Sequence, residues 1–122
     1  MREILFRGKR KDDGRWVKGY YSYETDECGF ELHLISDNKS VVTEVVPETV
    51  GQYTNLVDKN GSKIFEGDIL RVTYSDGNNI TEATGSVKFL NGCYIIDSTV
   101  FHIYRLEEFC SLEKIGNIYD KF

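Results

Sequence analysis

Residues 57–72, VDKNGSKIFEGDILRV, set a turn signature, a short apolar run, Glu66-Gly67-Asp68 and a second apolar run side by side. Three readings compete: a loop of catalytic carboxylates, a nucleotide-binding turn, or the corner of a small β fold. A nucleotide loop needs glycines at fixed offsets feeding a helix N-terminus, so that backbone N–H groups converge on phosphate. Gly61 and Gly67 are followed by strand-like residues instead, and that reading falls. Glu66 and Asp68, two apart, share a face of an extended segment, where two like charges would raise one pKa for acid/base work. The corner requires less: Gly67 allows a sharp bend, and Asp68 accepts neighbouring backbone N–H bonds. Asp58-Lys59-Asn60-Gly61 is a hairpin turn, because Asn-Gly tolerates the positive φ such turns demand. Asp58, Gly61, Glu66, Gly67 and Asp68 are therefore expected to be architectural, with an enzyme using Glu66 and Asp68 as the minor alternative.

Outward from this corner, strand-length segments alternate with turn signals at short spacing, the pattern of an all-β barrel or sandwich. Upstream, Ile4 and Phe6 lead into a turn at residues 12–14, and WVKGYYSYE is the return strand. ELHLIS reads as a strand with one face buried, Phe30, Leu32 and Leu34 on one side and Glu31, His33 and Ile35 on the other. SVVTEVVP is a strand ended by Pro47, and PETVGQYT a short helical turn opened by that proline and closed by Gly51. Downstream come ILRVTY, a turn at SDGNN, TEATGSVKFL, a second Asn-Gly at 91–92, and CYIIDS. In the last stretch Leu106, Phe109 and Cys110 have helical spacing, and residues 113–119 read as a closing strand. The expected fold is an all-β single domain over residues 1–122, with an N-terminal antiparallel sheet (1–53) and an SH3-like small barrel in the C-terminal half (54–122). The turn-rich stretch 51–62 would divide them.

Composition agrees. At 122 residues the chain is long enough for one core, and its eight Tyr, seven Phe and one Trp suit pleated surfaces. The N-terminus breaks into charge too early for a signal peptide, and no apolar run nears the ~18 residues of a membrane span. A soluble, intracellular protein follows as the expectation. Cys28, Cys93 and Cys110 lack Cys-x-x-Cys spacing and are odd in number, which favours small buried or half-buried hydrophobes over a disulfide framework or zinc site. His33 and His102 lie far apart without an acidic or Cys ligand at recognisable spacing, so each is read as a packed or surface histidine. Neither Cys93 with a histidine nor any serine presents a nucleophile pattern. No catalytic residue, cofactor or metal is expected.

Net charge is −5, but the first 18 residues hold seven basic and three acidic side chains, +4, and the remainder eight and seventeen, −9. Arg7, Lys9, Arg10, Lys11, Arg15 and Trp16 could therefore form a phosphate-facing patch with an aromatic stacking surface, giving a nucleic-acid-binding alternative. Tyr20, Tyr21 and Tyr23 would add to it. The competing reading is a solvated hairpin tip, since GKRKDDGR centres on Asp-Asp-Gly turn chemistry. A third use is pairing of the basic end of one subunit with the acidic body of another.

Five motifs, in order along the chain, carry a resemblance: Phe6-Arg7-Gly8-Lys9 with Trp16-Val17-Lys18-Gly19, Val50-Gly51-Gln52-Tyr53-Thr54, Asp58-Lys59-Asn60-Gly61, Ile64-Phe65-Glu66-Gly67-Asp68-Ile69, and Ile115-Gly116-Asn117-Ile118-Tyr119. The chain resembles the YopX family of phage and prophage proteins. The resemblance implies a mostly β phage protein that assembles with itself, ring-like hexamers being reported for members, and it supplies no catalytic set. The expected function is thus that of a non-catalytic phage or prophage accessory protein acting through self-assembly and macromolecular binding.

Overall fold

The computed structural model describes residues 2–98 and 104–120. Their regular structure is antiparallel β, interrupted by two short 3₁₀ turns. The chain divides into two compact units, Met1–Tyr53 and Thr54–Phe122.

In the first unit, β1 (Phe6–Lys9) turns back through residues 11–13 into β2 (Trp16–Thr25). Arg7 lies opposite Lys18, and Lys9 opposite Trp16. β3 (Glu31–Ser36) and the short β4 (Val42–Glu44) complete the order β4-β3-β2-β1. A single bridge, Arg10 to Val45, ties the end of β1 to the residue after β4. Pro47 opens a 3₁₀ turn, Pro47–Thr49, its fixed φ suiting the first position and its missing N–H costing nothing there. β5 (Gly51–Val57) then begins beside β1, Gly51 facing Arg7. Residues 51–57 are therefore strand, contrary to their reading as a turn-rich divider; only residues 58–62 turn. In β3 the burial falls on the Ile35 side. Ile35 is wholly buried and Phe30 is 70% exposed, because Ile35 pairs with the half-buried Tyr21 and its side chain packs close over Gly8.

In the second unit, β6 (Lys63–Phe65) leads through the bend at 66–67 into β7 (Asp68–Ser75). β8 (Ile80–Leu90) and β9 (Cys93–Asp97) continue the meander, and after a 3₁₀ turn at Leu106–Glu108, β10 (Ser111–Asn117) returns to pair with β7. Asn91 and Gly92 both adopt positive φ, as the β8–β9 hairpin requires. The order β10-β7-β8-β9 leaves β9 and β10 at opposite edges, so no closed barrel forms among the described residues. Ile64, Leu70, Val72, Val87, Ile96, Leu106 and Phe109 make the core, each contributing roughly 1.5–3 kcal/mol by burial. Cys28 and Cys110 are exposed and Cys93 half-buried, so two of the three cysteines are not the buried hydrophobes expected of them. No helix of the described residues is long and apolar enough to cross a membrane.

Candidate functional site

The corner is built from three side chains. Asp58, buried at the end of β5, accepts from the N–H groups of Asn60 and Ser62 on Oδ1 (both 2.9 Å), which shapes the 58–61 turn. Its Oδ2 accepts from the backbone N–H of Lys114 on β10 (3.0 Å). Burial alone would raise this carboxyl, but the bonds from Lys114, Ser62 and Asn60 and the Lys114 charge outweigh it and hold it below its ordinary value. Asp68 is wholly buried; Phe65 N–H donates to its Oδ2 at 2.7 Å, and the Lys114 ammonium lies 3.3 Å from the same oxygen. That ammonium also donates to the Lys63 carbonyl (3.0 Å). Lys114 thus holds one carboxylate with its backbone and the other with its side chain. Between them Gly67 sits at φ 89°, donating to Val87 O and accepting from Ile118 N–H. A Cβ there would lie 2.8 Å from the Tyr119 ring.

This geometry gives Asp68 a structural task, closing the tight bend that returns β6 into β7. Glu66 is half-buried in the bend itself. Lys114 escaped the sequence reading: it lies 46 positions after Asp68, and its only local sign is the bulge at Ile115 that re-aims β10.

The N-terminal hairpin distributes its charges differently. Arg7 is buried, its guanidinium 4.6 Å from the Trp16 ring centre, and the Lys9 ammonium lies 5.4 Å from the same ring. Both cations are held by the protein's own indole. Arg10 binds Asp12 in two-pronged fashion (3.0 and 3.1 Å) and approaches Asp13 (3.4 Å). The Arg10 hydrogen bonds keep the Asp12 carboxyl below the usual range. Lys11 pairs with Glu44 at 3.1 Å, and Arg15 lies 3.9 Å from Asp13. The expected basic patch is therefore split: Arg7 lies inside, Arg10 and Lys11 are paired at the surface, and Arg15 projects outward.

On β2 and β3, Tyr21 and Tyr23 both stack with His33, and Tyr21 meets Phe6 of β1 at a tilt of 45°. The Tyr21 hydroxyl meets His33 Nδ1 at 2.5 Å, and burial pushes its phenol up, aided by Glu31 and Tyr23. His33 Nε2 faces Glu31 at 3.4 Å, so this histidine is engaged by protein groups. His102 lies outside the described residues. Among the described residues no three His, Cys, Asp or Glu side chains gather as a metal would need.

Two open grooves remain in this unit. One, of about 710 Å³, runs beside the first residues of the chain and is lined by Arg2, Ile4, Leu5, Lys18 and Tyr20 among others. The other, of about 440 Å³, lies between the 10–12 tip and residues 41–44. Neither includes the corner carboxylates.

The model of a family described as YopX protein matches residues 5–121, nearly the whole chain. No curated protein matches it.

Proposed function

The chain belongs to the YopX family, and from that premise we propose that it is a phage or prophage accessory protein of the host cytoplasm, working by self-assembly and macromolecular binding without turnover chemistry. One observation carries this reading: the first unit leaves Ile4, Tyr20, Tyr23, Phe30, Val41 and Val42 more than half exposed, on its strands and in the segments beside them. Exposed Tyr and Phe side chains are of the type that binding interfaces enrich. Use of Asp68 as a buried brace supports a non-catalytic role, because a general base must reach substrate. The β7-β8-β9 meander with β10 returned beside β7 supports reading the second unit as an opened SH3-like barrel.

Light scattering on a sizing column, at moderate and at high salt, tests assembly. A multiple of the 14.1 kDa chain mass is the expected result, with a ring such as a hexamer as one form. A monomer at every concentration removes the assembly part.

The nucleic-acid alternative draws on Arg15, whose side chain is 84% exposed. It requires Arg10 and Lys11 to leave Asp12 and Glu44 for phosphate. A labelled oligonucleotide that shifts at low salt, and stops shifting when Lys9, Arg10 and Lys11 become Glu, would favour it over assembly.

A further inference from the structure

We propose that the tip joining β2 to β3, residues 26–30, inserts Phe30 into the groove beside Lys18 and Tyr20 on a second copy of the chain; the proposal rests on the self-assembly reading above and names its contact.

The tip is a rigid presenter. Asp26 N–H donates to the Phe30 carbonyl (2.8 Å), and Gly29 N–H to the Asp26 carbonyl (3.0 Å). Asp26 Oδ1 accepts from both Cys28 N–H and Phe30 N–H at 2.9 Å. Gly29 takes φ 85°, which lets the chain reverse within this bonded frame. Within this frame the Phe30 ring is 70% exposed. A backbone held in this way loses little entropy on docking, and the exposed ring it carries makes an effective anchor.

Charge selects the receiver. At the tip itself, from Glu24 to Glu31, the chain carries Glu24, Asp26, Glu27 and Glu31 and no Lys or Arg. The 710 Å³ groove offers the complementary surface: exposed Ile4 and Tyr20 with Leu5 as apolar wall, and Arg2 and Lys18 outnumbering the single Glu3. Its volume falls in the range of sites that enclose a small ligand, enough for one aromatic ring.

The contact must form between molecules. Lys18 and Asp26 stand at opposite ends of β2, roughly 25 Å apart at the rise of an extended strand, and pairing along the β2–β3 hairpin keeps the tip from folding back. Each copy therefore gives one tip and one groove. Such a head-to-tail interface closes into a ring or runs on as a filament.

Phe30→Ala and Lys18→Glu, each checked for native circular dichroism and unfolding temperature, are compared with the wild type by light scattering over a concentration series. Each should weaken association about tenfold or more, the loss expected when an interface anchor is removed. A mixture is the sharper test. The Phe30→Ala chain keeps its groove and the Lys18→Glu chain keeps its tip, so together they should stop at a one-to-one dimer. Wild-type protein that assembles while Phe30→Ala assembles equally well overturns this contact and leaves the assembly reading standing. Monomeric wild type at all concentrations overturns both. If Lys18→Glu abolishes binding of a labelled single-stranded oligonucleotide while assembly persists, the groove belongs to nucleic acid and the proposal fails.

Discussion

Asp68 and Asp12 are both aspartates facing a cation at close range, 3.3 Å to Lys114 and 3.0 Å to Arg10. Asp68 has no exposed surface and takes a backbone N–H from Phe65. The Asp12 side chain is 67% exposed, and its partner lies two residues away in the same turn. The first contact joins strands distant in sequence; the second decorates a loop. Water supplies nearly everything the Asp12 pair gains, whereas nothing replaces the Asp68 partners once its carboxylate is removed. Distance alone therefore ranks the two alike, and burial separates them.

The largest expected effect follows directly. Asp68→Ala leaves the Phe65 N–H and the half-buried Lys114 ammonium without this acceptor, and should lower unfolding free energy by about 3 kcal/mol. Urea denaturation at neutral pH measures it. A loss below about 1 kcal/mol would erase the contrast between the units and reopen a functional role for this carboxylate.

Next in size is the bend that Asp68 braces. Gly67→Ala meets both a left-handed backbone and the Tyr119 ring at 2.8 Å, and should cost about 2 kcal/mol. Gly61 has nearly the same φ, 83°, but nothing within 4 Å of a new Cβ. Gly61→Ala should cost about 1 kcal/mol, from backbone strain alone. Equal losses in thermal or urea unfolding would mean that the ring moves aside and the corner is less tightly packed than its geometry indicates.

These corners were legible in the sequence because their causes are local. Asn60-Gly61, Asn91-Gly92 and Gly67-Asp68 announce a reversal by their own backbone preferences, whatever the rest of the chain does. Lys114 was illegible because its importance lies in a meeting across 46 and 56 positions with Asp68 and Asp58. Arg7 misled for a related reason. A charged residue in a basic run reads as solvated, yet the β1–β2 register sets Trp16 close enough to cover it. The buried side of β3 could not be chosen from alternation, since Ile35 stands on one side and Leu32 and Leu34 on the other. The bends at 58–62 and 66–67 could be read from local composition and the groove could not, since Arg2, Lys18 and Tyr20 line it together only after β1, β2 and β3 have paired.

Asp58 yields an intermediate effect with a pH signature. Its folded carboxyl titrates below the ordinary value, so its stabilisation is fully present above the unfolded pKa of about 3.9 and is lost as pH falls through the lower folded value. At neutral pH, Asp58→Asn should cost about 1.5 kcal/mol, because the three backbone N–H bonds use both carboxylate oxygens, and an amide keeps one acceptor oxygen while turning an NH2 donor toward the remaining N–H. Below about pH 4 the gap between variant and wild type should narrow. A gap that stays constant in urea unfolding from pH 7 to pH 3 would place the loss in turn shape alone.

The smallest effect belongs to the exposed pair. Asp12→Ala removes the carboxylate that Arg10 grips, but both groups return to water, and side-chain freedom regained in the loop offsets the lost attraction. The expected change is too small to separate variant from wild type in urea unfolding, and 1 M salt should shrink it further by screening. The freed Arg10 makes the variant informative in a second way. If the hairpin's cations are held back from phosphate by their own carboxylates, Asp12→Ala should raise any affinity for a labelled oligonucleotide while leaving stability untouched. A stability loss comparable to that of Asp68→Ala would instead mean that the tip supports the Arg10 to Val45 bridge and, through it, the closure of the first sheet on β4.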